Sequence, residues 1–178
     1  MVNSFVLSAY YAAVSTATVA GIVRYKRLDT AMRVIVYLML ATSVCELFSY
    51  AMRTMKDYPL RYSVFHIYAV AEIFLQSLFF IYAIKPRNYR KLIFAGALLW
   101  PALGILNVLA LQSFGELNTN MLMVESFSTI TMSLYFIYWF IKNDQVMLLY
   151  RHPHIRVAAL LLLLWSSAFF FWAFIKIL

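Results

Sequence analysis

Apolar residues run through the chain in six long blocks separated by short polar connectors. A hydrocarbon core of about 30 Å needs roughly 20 apolar residues in an α-helix rising about 1.5 Å per residue, and each block has that size. The pattern predicts spans over residues 3–23, 34–52, 62–84, 92–112, 121–141 and 157–178. The connectors RYKRLDTAMR, RTMKDYPLR, KPRNYRK and SFGELNTN are short enough to set successive helices side by side in antiparallel order, without room for a soluble domain. The longest, KNDQVMLLYRHPHIR, contains the apolar run VMLLY, which fits a short amphipathic turn along the interface. The expected fold is all-α: one polytopic membrane bundle of six transmembrane helices filling residues 1–178.

Basic residues orient this bundle. Eleven fall in the first, third and fifth connectors: Arg24, Lys26, Arg27, Arg33, Lys85, Arg87, Arg90, Lys91, Lys142, Arg151 and Arg156. The second connector holds only Arg53, Lys56 and Arg61, and the fourth holds none. Positive residues stay on the cytoplasmic side, so the odd connectors are expected inside and both termini outside. Tyr58, Tyr62, Tyr82, Tyr89 and Tyr150 near span ends fit an interfacial aromatic belt, and Lys176 fits an anchor that extends its charge to the headgroups. The opening MVNSFVLSAYYAAV lacks a basic leader and reads as a retained helix.

Composition excludes the other classes. Hydrophobic residues make up 65% of the 178 positions and charged ones 12%, too few charges to solvate a water-soluble surface. The formal charge of +8 lies between apolar runs and accompanies no nucleic-acid motif. The partner it implies is the lipid bilayer, through anionic headgroups, and not nucleic acid. Cys45 is the lone cysteine and reads as a small packing residue. In the first span Ala12, Thr16 and Ala20, beside Ala13, Ala17 and Gly21, form rows that would admit a second helix closely. In the fourth, Gly96, Trp100, Gly104 and Asn107 share a face, and Pro101 is expected to act as a structural kink.

Chemistry enters through polar residues placed where hydrocarbon should be. An ionised carboxylate at mid-membrane costs about 2.5–3.5 kcal/mol on insertion scales, yet Glu46, Glu72 and Glu125 lie inside three different spans, Glu72 ~15 Å deep. Helical spacing puts Thr42, Glu46, Ser49, Tyr50 and Arg53 on one stripe, Tyr68, Glu72 and Gln76 on another, and Glu125 with Ser128, Thr129 and Met132 on a third. His66 lies about 120° around its helix from Glu72, at the border of that face. For Asn107 and Gln76, interhelical hydrogen bonding is the preferred role. Cohesion alone needs only Ser, Thr or Asn, so three acids at similar depth point to a hydrated recess. The expected lining is Glu46, Tyr50, His66, Tyr68, Glu72, Asn107 and Glu125, open to the outside.

Other chemistry is weakly signalled. There is no HExxH or ExxH and no second intramembrane histidine to join His66 in a metal site, and no motif asks for a cofactor. RHPHIR, with His152 and His154, reads as a turn or helix start near the headgroups. Ser166 and Ser167 lack a base at helical reach and read as helix-backbone hydrogen bonders. The run LFFIYAI below Gln76 forms an apolar floor that argues against a continuous channel.

The helices LMLATSVCELFSYAM and HIYAVAEIFLQSLFFIYAI carry Glu46 and the pattern H-x-Y-x-x-x-E of His66, Tyr68 and Glu72. In these they resemble uncharacterised small multi-pass membrane proteins and seven-helix-type kinase sensor regions of Bacteroidetes-type bacteria. The resemblance implies a prokaryotic inner membrane and a sensory role. No cytoplasmic output domain is visible in the sequence, so signalling would need a partner chain or a homo-oligomer. The expected function is a ligand-binding or sensory membrane protein whose acidic pocket takes a small polar or cationic molecule. Transport of a solute or ion is the alternative, and an intramembrane metal-dependent hydrolase using His66 and two acids is the third reading.

Overall fold

Two aspartates set helix starts that hydropathy alone misses. Asp29 Oδ1 accepts from Met32 N at 2.9 Å and Asp57 Oδ1 from Leu60 N at 3.1 Å, each satisfying a free donor of a helix's first turn. The helices consequently begin several residues ahead of the apolar windows. The computed structural model describes residues 4–84, 86–143 and 152–177. Among them the chain forms α1 (Ser4–Arg24), α2 (Thr30–Thr54), α3 (Tyr58–Ala83), α4 (Arg87–Ala110), α5 (Thr119–Lys142) and α6 (Pro153–Ile177), with a short 3-10 turn at Tyr25–Arg27 and no strand. Five of them, α2 to α6, are long and apolar enough to cross a membrane, as in a multi-pass membrane protein. Lys85, Tyr150, Arg151 and the VMLLY run lie outside the described residues, as do the side chains of Tyr58, Arg87 and Lys176.

The α2–α3 turn closes as a paired C-terminal cap. Lys56 N donates to Arg53 O and Asp57 N to Met52 O, with Lys56 left-handed at φ 60° in the position that glycine usually takes. This tight reversal lays α3 against α2. α3 also packs on α4 and α5, α5 packs on α6, and α1 lies on α2. α3 is thus the central helix, burying Ala69, Ile73, Gln76, Ser77, Phe79 and Phe80.

The apolar core sits at the basic end of the bundle. Ala31 and Val34 of α2, Phe79 and Phe80 of α3, Phe136 and Phe140 of α5, and Ile155 and Ala158 of α6 pack there, with Phe79 and Phe80 edge to face at 5.0 Å. Large apolar side chains also cover the perimeter, among them Leu98, Leu106 and Leu109 of α4 and Leu160, Leu163 and Phe170 of α6. In lipid such residues lose nothing by exposure, so the polar groups instead turn inward.

Three local features differ from or refine the sequence reading. In α1 the rows of small residues are largely exposed: the face toward α2 carries Tyr11, Val14, Thr18 and Gly21, and only Gly21 of the small set makes a close approach. Its α-hydrogen faces Val36, where an added Cβ would lie 2.9 Å from Val36 Cγ2. In α4, Pro101 is accommodated within an unbroken helix whose inner face does hold Trp100, Gly104 and Asn107. At the start of α6, Pro153 opens the helix as expected, but His154 turns into the bundle and pairs with Asp29 Oδ2 at 2.7 Å, while His152 stands over Phe140 with ring centroids 5.0 Å apart. Ser167 donates to Leu163 O at 3.0 Å, the helix-backbone role expected of it.

Candidate functional site

A cavity of about 430 Å³ opens where α1, α2, α3 and α6 meet, and two carboxylates line it: Glu46 from α2 and Glu72 from α3. Helical periodicity delivers them. On α2, Leu38, Thr42, Cys45 and Glu46 recur on one face, and on α3 so do Phe65, Tyr68 and Glu72. Tyr10 of α1 donates to Glu46 Oε1 at 2.9 Å. The Thr42 hydroxyl donates to Leu38 O at 2.9 Å, which leaves its oxygen to accept from Tyr68 OH at 2.7 Å. Trp165 and Trp172 of α6 form the opposite wall, and the Trp165 indole nitrogen is buried without a hydrogen-bond partner among the described residues.

Glu125 stands behind this cavity, within electrostatic reach of Glu72. It is 0% exposed, and its Oε1 accepts from Gln76 Nε2 at 3.1 Å. The Thr129 hydroxyl donates in turn to Gln76 Oε1. Glu125, Ser126, Thr129 and Ser133 are all buried on the inward face of α5, so a polar ladder runs down the α3–α5 seam until Phe136 and Phe140 close it. Glu125 Oε2 and Ser133 Oγ have no partner among the described residues. A buried carboxyl group with one oxygen unpaired is costly in any medium without water.

The other expected lining residues lie elsewhere. His66 is buried, its Nε2 3.0 Å from Glu116 O and its ring edge to face with Phe114 at 5.5 Å. It borders a separate apolar recess between α3 and α4, beside Pro101 and Gly104. Asn107 donates to Asn118 Oδ1 at 3.0 Å and accepts from Asn120 Nδ2 at 3.0 Å, fastening the end of α4 to the start of α5. Tyr50 is 54% exposed and faces a groove between α1 and α2, with its ring edge against Tyr11 at 6.5 Å. Glu46, Tyr68 and Glu72 therefore share one cavity, Glu125 backs it through Gln76, and Tyr50, His66 and Asn107 do not enter it.

The sequence reading missed Tyr10, Trp165 and Trp172 as lining residues. Tyr10 and Tyr11 are adjacent phenols ahead of the small-residue rows of the first span, and the sequence does not distinguish which of them faces the acids. Among the described residues no group of three His, Cys, Asp or Glu side chains could hold a metal ion, and His66 has its Nε2 against Glu116 O. What remains is a pair of acceptor groups ringed by phenol and indole. Carboxylates attract a positive charge, aromatic faces attract it further, and the low dielectric strengthens both effects. Comparison with protein-family models, with curated proteins and with solved structures finds no match to this chain.

Proposed function

We propose that the protein is a six-span membrane receptor or binding protein for a small organic cation, a protonated or quaternary amine, held between Glu46 and Glu72. The observation that carries this reading is the convergence of two carboxylates from different helices on one cavity walled by Tyr10, Tyr68, Trp165 and Trp172. Glu72 is the deep counter-charge, Glu46 the outer one, and the aromatic rings select a cation with an apolar shell over a hydrated metal ion. The positive-inside pattern supports a reading with the acidic half of the bundle and both termini outside, the resemblance to bacterial sensor regions implies an inner membrane, and a second chain or copy would carry the signal inward. Passage of the ligand through the bundle is the weaker reading, since Phe79, Phe80, Phe136 and Phe140 fill the space below the polar ladder.

Thermal unfolding of the detergent-solubilised protein across a panel of alkylammonium ions tests the proposal. Cations that fit should raise the midpoint in a concentration-dependent way, as any ligand selective for the folded state does. Glu72→Gln should abolish most of that rise. A panel without effect on the unaltered protein would remove the assignment.

A further inference from the structure

The cavity adjoins a second space on the rim of the bundle. A groove of about 600 Å³ runs between α1 and α2, lined by the hydroxyls of Ser8, Ser15 and Ser43 beside Val14 and Leu47. Glu46 and Val14 line both spaces, so the Glu46 carboxylate lies at their junction. The hydrogen bond from Tyr10 to Glu46 Oε1 spans from α1 to α2 at that same junction.

α1 is held unequally along its length. Toward the basic end it is pinned: Thr18 Oγ1 lies 3.0 Å from Ser43 Oγ, and Gly21 presses against Val36. Toward the other end, among the described residues, Tyr10–Glu46 is the hydrogen bond that joins the two helices, with Tyr11 and Tyr50 in edge contact. Among the described residues the outer half of α1 is thus tied to α2 by one hydrogen bond and one ring contact, while its inner half is held by Thr18 and the close approach of Gly21. The groove lies along α2, a helix long and apolar enough to cross a membrane, so in a bilayer it would face acyl chains.

We infer that the Glu46–Glu72 cavity is filled sideways from the lipid through the α1–α2 groove, with the Tyr10–Glu46 hydrogen bond as its gate, and that its ligand is an amphiphilic amine bearing a hydrocarbon tail. This rests on the cation-binding reading and adds the route and the substrate class. The tail stays in the bilayer beside Val14 and Leu47. The ammonium group moves along the serine hydroxyls to Glu46, where it displaces the Tyr10 phenol and passes to Glu72. Within the protein the Glu46 carboxylate has the Tyr10 phenol as its hydrogen-bond donor, a neutral partner that an ammonium group can replace with an opposite charge.

Stopped-flow tryptophan fluorescence of the full chain in nanodiscs, with Trp165 and Trp172 reporting from the cavity wall, reads the entry step for dodecyltrimethylammonium. Ser15→Phe, which fills the groove from an exposed position outside the cavity, should slow association on the order of tenfold and leave the final occupancy unchanged. Tyr10→Phe, which removes the gate bond, should speed it. Tetraethylammonium, lacking a tail, should associate more slowly than dodecyltrimethylammonium. If Ser15→Phe and Tyr10→Phe both leave the association rate unchanged while Glu72→Gln still abolishes binding, the lateral route is wrong and the site stands. If the unaltered protein binds neither cation, site and route fall together.

Discussion

Gln76 is fully buried between two polar side chains of α5. It is 0% exposed, donates to Glu125 and accepts from Thr129, so it satisfies polar groups on α5 that would otherwise be bare in the interior. Gln76→Leu strips Glu125 and Thr129 of that partner at once and should cost about 1–3 kcal/mol, the penalty of buried unsatisfied groups. Glu125→Gln keeps a carbonyl oxygen for Gln76 and should cost less than about 1 kcal/mol. Thermal unfolding of both variants checks the order, and a larger loss for Glu125→Gln would contradict it. The acids were legible in the sequence because hydrocarbon makes each one conspicuous. The faces they share were only partly so. Tyr68 is about 40° from Glu72 around α3 and joins it in the cavity, whereas His66, about 120° away, turns toward α4.

Between elements, the α3–α4 contact depends on one missing side chain. A Cβ on Gly104 would come within 2.5 Å of Val70 Cγ2, and Val70 is β-branched and stiff at χ1. Gly104→Ala should destabilise the bundle by about 1–3 kcal/mol through overpacking, and Val70→Ala in the same chain should recover part of that loss. Additive losses in the double variant would show that the two residues do not meet. Helix existence was fully legible, because membrane thickness fixes a length that hydropathy records. Helix starts were not, since Asp29 and Asp57 extend α2 and α3 through capping rather than apolarity. Nor was the face of α1. Rows of alanine suggested close packing, but the residues that meet α2 are Tyr11, Val14, Thr18 and Gly21, because Thr18 bonds to Ser43 and its spacing fixes the rotation.

At the scale of the molecule, polarity is divided along the bundle axis. The end formed by the start of α2, the end of α3 and the start of α6 carries the aromatic core and the Asp29–His154 pair, while Glu46, Glu72 and Glu125 lie nearer the middle and the opposite half. Arg24, Lys26, Arg27, Arg90, Lys91 and Lys142 gather at the aromatic end, so that end should face the cytoplasm. Single cysteines placed at Lys26 and at Ser113, in a chain with Cys45 replaced by alanine, should differ in their reaction with a membrane-impermeant maleimide added to intact cells. Only the Ser113 position should label from outside. Such a division was predictable from charge counts, but the position of the cavity was not. It depends on which helices become neighbours, and α6 supplies Trp165 and Trp172 to a site whose acids lie on α2 and α3.

Equilibrium binding of radiolabelled tetraethylammonium to the protein in nanodiscs addresses the central claim most directly. Saturable binding at one site per chain, weakened about tenfold or more by Glu72→Gln and again by Glu46→Gln, is the result expected if these two carboxylates hold a cation, tenfold being about 1.4 kcal/mol. Saturable binding that survives the loss of both carboxylates, or none by the unaltered chain, would contradict it.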